Sequence, residues 1–176
     1  AYMQLKKVHL IGNSLGGHIA QMYLLRRPED VATMTLTGSS GLFENSLGDT
    51  YPRKSDYEYV RKKTEATFYN PAMATKELAD EVFEIVNNRS KALRIVLMAK
   101  SALRHNLREL VPQMNLPVCL IWGKNDTITP SFVGEEFKKL LPNAELHIID
   151  ECGHAPMMEV PAEFNTLFSD FLSKHR

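Results

Sequence analysis

Val8-His9-Leu10-Ile11-Gly12-Asn13-Ser14-Leu15-Gly16-Gly17 begins as a short apolar run, bends where two glycines bracket a serine, and passes straight into helical spacing. The run over 8–11 predicts a strand. Ile19, Ala20, Met22, Tyr23 and Leu24 predict a helix over 17–26 that Pro28 ends. Between the two, Gly12-Asn13-Ser14-Leu15-Gly16 fits G-x-S-x-G in the setting that pattern needs, strand before and helix after. A sharp turn at this place lifts a serine Oγ out of the carboxyl edge of a sheet. Glycines on either side of Ser14 leave room for the strained backbone, and the helix start offers N–H groups to an anion. The bland alternative is a glycine turn without chemistry.

Three further runs have the character of the first: Val31–Thr37, residues 118–122 and residues 145–149. All are nearly continuous in apolar or β-branched residues rather than alternating, which predicts parallel strands buried on both faces. A helix over 131–141, with Phe132, Val133, Phe137, Leu140 and Leu141 facing inward, follows the third run. Another over 161–172, carrying Phe164, Leu167, Phe168, Phe171 and Leu172, follows the fourth. Strand alternating with helix predicts an α/β fold on a mostly parallel sheet of about four strands with flanking helices. Residues 41–117 break this rhythm with helices over 57–68, 75–86 and 91–103, the first entered through Ser55 and Asp56 and the last with Leu93, Val96, Leu97 and Ala99 on its apolar face. The chain therefore divides into a first core piece over 1–40, a helical insertion over 41–117 and a second core piece over 118–176.

The chain has 176 residues, 44% of them hydrophobic, with 21 Lys+Arg against 21 Asp+Glu. A chain of this size can bury roughly 70% of its unfolded surface, so a core forms without staples. Cys119 and Cys152 are its two cysteines, too few for a disulfide framework or a four-cysteine zinc site, and they point to a reducing, cytoplasmic setting. Zero net charge with interspersed acids and bases speaks against nucleic acid as a partner. No apolar stretch approaches the roughly 20 residues of a membrane span. The start at Ala1, directly before a strand, predicts a piece of something longer.

A reactive serine needs a histidine and an acid from elsewhere. Asp126 lies just past the third strand run in Ile121-Trp122-Gly123-Lys124-Asn125-Asp126, and His154 just past the fourth in Cys152-Gly153-His154-Ala155-Pro156. All three then occupy loops at the same edge of a parallel sheet. Asp150 and Glu151 compete for the acid role but sit close to His154 in sequence. His9 and His147, inside strands, read as packing or edge residues, and His18 as a polar residue on the first helical turn. Cys152 lies beside the histidine, but Ser14 already fills the nucleophile's place. Met157 and Met158 read as pocket wall or core. The basic group Arg104, His105 and Arg108 reads as a solvated helix face, or alternatively as a holder for a substrate carboxylate.

Gly12 to Gly17, Trp122-Gly123-Lys124-Asn125-Asp126 with Pro130, and Gly153-His154-Ala155-Pro156 with Glu159 and Pro161 together resemble the α/β-hydrolase superfamily, in particular its small esterases and meta-cleavage product hydrolases. The resemblance implies a partial α/β-hydrolase fold in which the insertion is a cap. It also implies Ser14 as nucleophile, His154 as general base and then general acid, Asp126 as orienter of the imidazole, and the Leu15 N–H as one oxyanion donor. No cofactor or metal is required. Complete members carry several more strands and a His-Gly loop, the second oxyanion donor, upstream of the nucleophile strand, and these 176 residues hold neither. Asn13 favours the carbon–carbon bond hydrolases, whereas Ala155 stands where those usually have tryptophan. A serine nucleophile disfavours the epoxide hydrolase and haloalkane dehalogenase branches.

The resulting expectation is a serine hydrolase for small-molecule esters or ketones that works through an acyl-enzyme. The alternatives are a carbon–carbon bond hydrolase of the meta-cleavage type, or a catalytically impaired fragment that self-associates or binds ligand. The strand over 8–11 is expected to lie at an open edge and to recruit a second copy into a homo-oligomer.

Overall fold

The structure, a computed structural model, describes residues 6–43 and 53–175. Strand β1 spans Val8–Asn13, helix α1 Leu15–Arg26 and strand β2 Val31–Thr37. The insertion follows with α2 (Tyr57–Glu65), α3 (Lys76–Asn87) and α4 (Arg89–Arg104). Then come β3 (Val118–Gly123), α5 (Ser131–Leu140), β4 (Ala144–Ile149), the short α6 (Pro156–Glu159) and α7 (Pro161–Lys174). Residues 44–52, part of the predicted insertion, lie outside the described residues. Among the described residues no helix is long and apolar enough to cross a membrane.

The four strands form one parallel sheet in the order β1-β2-β3-β4. Asn13 pairs with Thr37, Thr37 with Ile121, and Gly123 with Ile149. The strands therefore finish nearly level, and the loops after them leave from one edge. Adjacent side chains on a strand point to opposite faces, which splits the core in two. Met34, Leu36, Leu120 and Trp122 pack with Leu24, Val133 and Phe137 under α1 and α5. Cys119, Ile121 and Ile149 pack with Phe164 and Phe171 of α7.

Burial departs from expectation in several places, β4 with Ile148 39% exposed among them. β1 is not buried on both faces: it alternates, with Ile11 49% exposed, because β2 is its one strand neighbour among the described residues. Phe132 does not face inward. It stands 49% exposed and meets Phe43 edge-to-face at 5.4 Å. α4 is thinly covered: Leu93 and Leu97 are 56% and 55% exposed, Val96 and Ala99 half-buried, and Ala102 is its one buried residue. Helical spacing places residues on a common stripe, but a stripe is buried only where another element covers it.

Helix entries follow local chemistry. Asp56 accepts a hydrogen bond from Tyr59 N at the start of α2, Thr75 from Leu78 N before α3, and Asn88 from Ser90 N and Lys91 N before α4. Each satisfies donors that the first turn of a helix leaves over. α1 is different. Ser14 occupies its N-cap position but its side chain makes no capping hydrogen bond.

Candidate active site

Ser14 has φ 52° and ψ −122°, a conformation that costs an L-residue about 1–3 kcal/mol and persists only where neighbours over-determine it. Here they do. Ser14 N donates to Thr37 O at 3.0 Å, and Ser14 O accepts from Gly17 N and Ser40 N, both at 3.1 Å. Gly12 is required at this turn, since a Cβ there would lie 2.4 Å from the Gly16 carbonyl. The second glycine demanded by space is not Gly16, which has nothing within 4 Å, but Gly17, whose Cβ would lie 2.1 Å from Ser39 Oγ. Gln21, buried on α1, donates to Ser40 O at 2.9 Å and holds the segment that follows β2 beside the turn. Leu15, the residue expected to offer an oxyanion donor, is the first of α1, where backbone N–H groups have no partner within the helix.

Asp126 and His154 come together. Nδ1 of His154 lies 2.8 Å from Asp126 Oδ2, with side chains 7% and 0% exposed respectively. The carboxylate is fully engaged. Ile128 N and Thr129 N donate to Oδ1 at 2.8 and 2.9 Å, an Asx-type turn that fixes the carboxyl plane. Thr129 Oγ1 stands 2.9 Å from Oδ2, 2.8 Å from Gly38 O and 3.3 Å from His154 Nδ1. Gly38, with φ +46°, lets β2 close over the pair, since a Cβ there would meet His154 Nδ1 at 2.8 Å. The link to the serine turn is Asn13, whose side-chain amide donates to both Thr37 O and His154 O at 3.0 Å.

Sequence reasoning passed over Thr129, Gly38 and this role of Asn13. An Asp followed three residues later by Thr was a legible turn signal. The contacts of Gly38 and Asn13 exist only through space.

The competing residues lie elsewhere. Asp150 is on the surface, paired with Lys124 at 2.5 Å. Glu151 is exposed in a turn with φ 51°. Burial, helped by the Glu159 and Asp126 charges, pushes the Cys152 thiol up to about 12, so it stays protonated. His9 Nδ1 lies 2.8 Å from Thr33 Oγ1, and His147 Nε2 lies 3.3 Å from Glu145. Arg108 pairs with Glu136 at 3.3 Å, and His105 Nδ1 lies 2.7 Å from Ser101 O.

An open cleft of about 250 Å³ begins at Leu15 and runs between α1 and α4, past His18, Ile19, Met22, Met98 and Ala102. Ser14, Asp126 and His154 are not in its wall, so the cleft adjoins the triad of candidates rather than containing it. Cys119, Glu145 and His147 have potential metal-ligating atoms within 4.8 Å of one another. Glu145 is already paired with Lys174 at 3.0 Å, and burial pushes the Cys119 thiol up to about 12, so the three read as neighbours on one sheet face.

Residues 2–167 match the model of the Alpha/beta hydrolase family. The chain belongs to that family. A 2-hydroxy-6-oxononadienedioate/2-hydroxy-6-oxononatrienedioate hydrolase of a Pseudomonas species is 30% identical over 97% of this chain. The match spans 64% of that relative's length. MGS-MChE2, an alpha/beta hydrolase enzyme from the metagenome of lagoon sediments at Mar Chica, Morocco, is 41% identical with a TM-score of 0.75, over 98% of this chain and 64% of that chain. The meta-cleavage product hydrolase CumD of Pseudomonas fluorescens IP01 shares the fold, with a TM-score of 0.83 at 24% identity over 99% of this chain and 67% of its own.

Proposed function

We propose that this hydrolase is a serine hydrolase for carboxylic esters or related small carbonyl compounds, with Ser14 as nucleophile, His154 as general base and then acid, and Asp126 as orienter. The observation that carries the reading is the buried His154–Asp126 contact of 2.8 Å, set at the same sheet edge as the strained Ser14 turn. A proton held on Nδ1 toward the carboxylate leaves Nε2 as the basic nitrogen. Ser14 Oγ attacks the carbonyl carbon as its proton passes to Nε2. When the tetrahedral oxyanion collapses, the bond to the leaving oxygen breaks and that oxygen takes the proton from Nε2. Water repeats the sequence on the acyl-enzyme, releasing the acid and restoring Ser14. The Leu15 N–H donates to the oxyanion, and α2, α3 and α4 act as the cap in which substrate selectivity lies. The edge strand β1 supports association with a second copy.

A second reading, carbon–carbon bond hydrolysis, is favoured by Asn13 and by the Pseudomonas relative, which is 30% identical. Ala155 after the histidine speaks for the ester reading. A fluorophosphonate tests the shared core: it should label Ser14, and Ser14→Ala should abolish labelling and turnover of a short-chain nitrophenyl ester while the protein stays folded. Labelling at Cys152 or at another serine overturns the assignment. Turnover of 2-hydroxy-6-oxononadienedioate well above that of the ester selects the second reading.

A further inference from the structure

Residues 66–70, which leave the end of α2, touch both loops that carry the paired side chains. Ala66 O accepts from Thr127 Oγ1 at 3.2 Å, one residue after Asp126. Thr67 O accepts from the backbone N of His154 at 2.9 Å. Glu159 spans the rest: its Oε2 accepts from Tyr69 N at 2.7 Å and Asn70 N at 3.4 Å, and its Oε1 from Gly153 N at 2.7 Å. The approach is backbone to backbone, since a Cβ on Gly153 would lie 2.7 Å from Tyr69 N and 2.8 Å from Thr67 O. A segment of the insertion is thus fastened to the acid loop through Thr127 and to the histidine loop through His154 N and Glu159.

We infer that residues 66–70 clamp the two loops in fixed relation, with Glu159 as the positioning residue, so that the insertion sets where the His154 ring stands. The inference rests on the reading of Ser14, Asp126 and His154 as the reacting set. A carboxylate suits the place because both oxygens accept, and charge-assisted bonds to backbone N–H groups are roughly twice as strong as neutral ones. A glutamine there would keep one accepting oxygen and turn an NH2 group against a backbone donor. The loop would shift, and a misplacement of about 1 Å can cost on the order of 10²-fold in rate. Both Glu159 oxygens are taken by backbone N–H groups, so it acts through the loop.

The test measures the rate of fluorophosphonate labelling at Ser14, with kcat and KM on a short-chain nitrophenyl ester, in Glu159→Gln, Thr127→Val and the double variant, alongside each unfolding midpoint. Glu159→Gln should lower labelling and kcat by about 10- to 100-fold while KM moves less than about threefold. Thr127→Val, at an exposed position, should lower both by a few-fold with an unchanged midpoint, and the combined loss should depart from the product of the single losses. A folded Glu159→Gln protein that labels and turns over within about twofold of the unsubstituted protein overturns the clamp. If Glu159→Gln does not fold, Thr127→Val decides: slower labelling at an unchanged midpoint supports the clamp, and an unchanged rate overturns it. Failure of the underlying reading looks different, because the unsubstituted protein then carries the label somewhere other than Ser14, and both ideas fall.

Discussion

β3 and β1 both end at the sheet edge that carries the candidate site, yet their surroundings differ. β3 has a strand on each side and is buried at every residue, with Trp122 under α5 and Ile121 under α7. Among the described residues β1 is bordered by β2 alone and leaves Ile11 exposed, and beside it α1 exposes Ile19 and Tyr23. The same contrast runs into the loops. Asp126 and His154 sit in a buried, hydrogen-bonded nest, whereas Leu15 opens onto a cleft. Burial is therefore densest around β3, while the nucleophile turn is held by hydrogen bonds to β2 and the segment after it.

The largest effect that would test this contrast is chemical. Asp126→Asn should lower kcat on the order of 10⁴-fold, because an amide cannot hold the imidazole in the tautomer that leaves Nε2 basic. The protein should remain folded, as read by circular dichroism. A mild effect there with a severe one for Asp150→Asn would transfer the acid role to the surface residue and break the contrast.

A second comparison concerns stability. Phe137, fully buried against Trp122 with ring centroids 5.9 Å apart, should cost about 3–5 kcal/mol when replaced by alanine. Ile11→Ala should cost less than about 1 kcal/mol in denaturant unfolding. Equal costs would mean that the β1 edge is covered in solution. Sedimentation then sharpens the point: association that Ile11→Lys abolishes assigns the covering partner to a second copy at that edge.

The remaining effect is alkaline. Burial pushes the thiols of Cys119 and Cys152, both on the dense side, from an ordinary 9.0 up to about 12. As pH passes about 9 the unfolded chain gives up these protons while the folded protein keeps them. Unfolding then releases protons, and stability falls with rising pH between about 9 and 12. Replacing both cysteines by alanine should flatten that fall in unfolding midpoints taken across the range. An unchanged slope would place the alkaline sensitivity in other groups.

Much of the fold could be read along the chain. α1, α5 and α7 follow apolar spacing, and α1 and α5 end where Pro28 and Pro142 stop it. The serine turn was legible because a reversal this tight needs glycine at Gly12, and Asp126 and His154 because polar residues directly after apolar strands fall at one edge. The face of α4 and the exposure of β1 were not legible, since apolar spacing is the same whether or not a neighbour covers it. Thr129 and Gly38 escaped for a related reason: they touch the pair across loops that are distant in sequence. The hold of Glu159 on Tyr69 and Gly153 joins two such segments, and nothing in their composition announces it.

By itself the sequence determined the strands, the core helices, the turn at Ser14 and the family motifs, because these depend on spacing, side-chain type and backbone freedom within a few residues. The tertiary structure alone decided which apolar faces lose water, which acid meets His154, and that residues 66–70 bind both loops. Those outcomes depend on the distance between groups far apart in the chain, and burial or pairing acquires its free energy only when packing brings a second surface to within contact of the first.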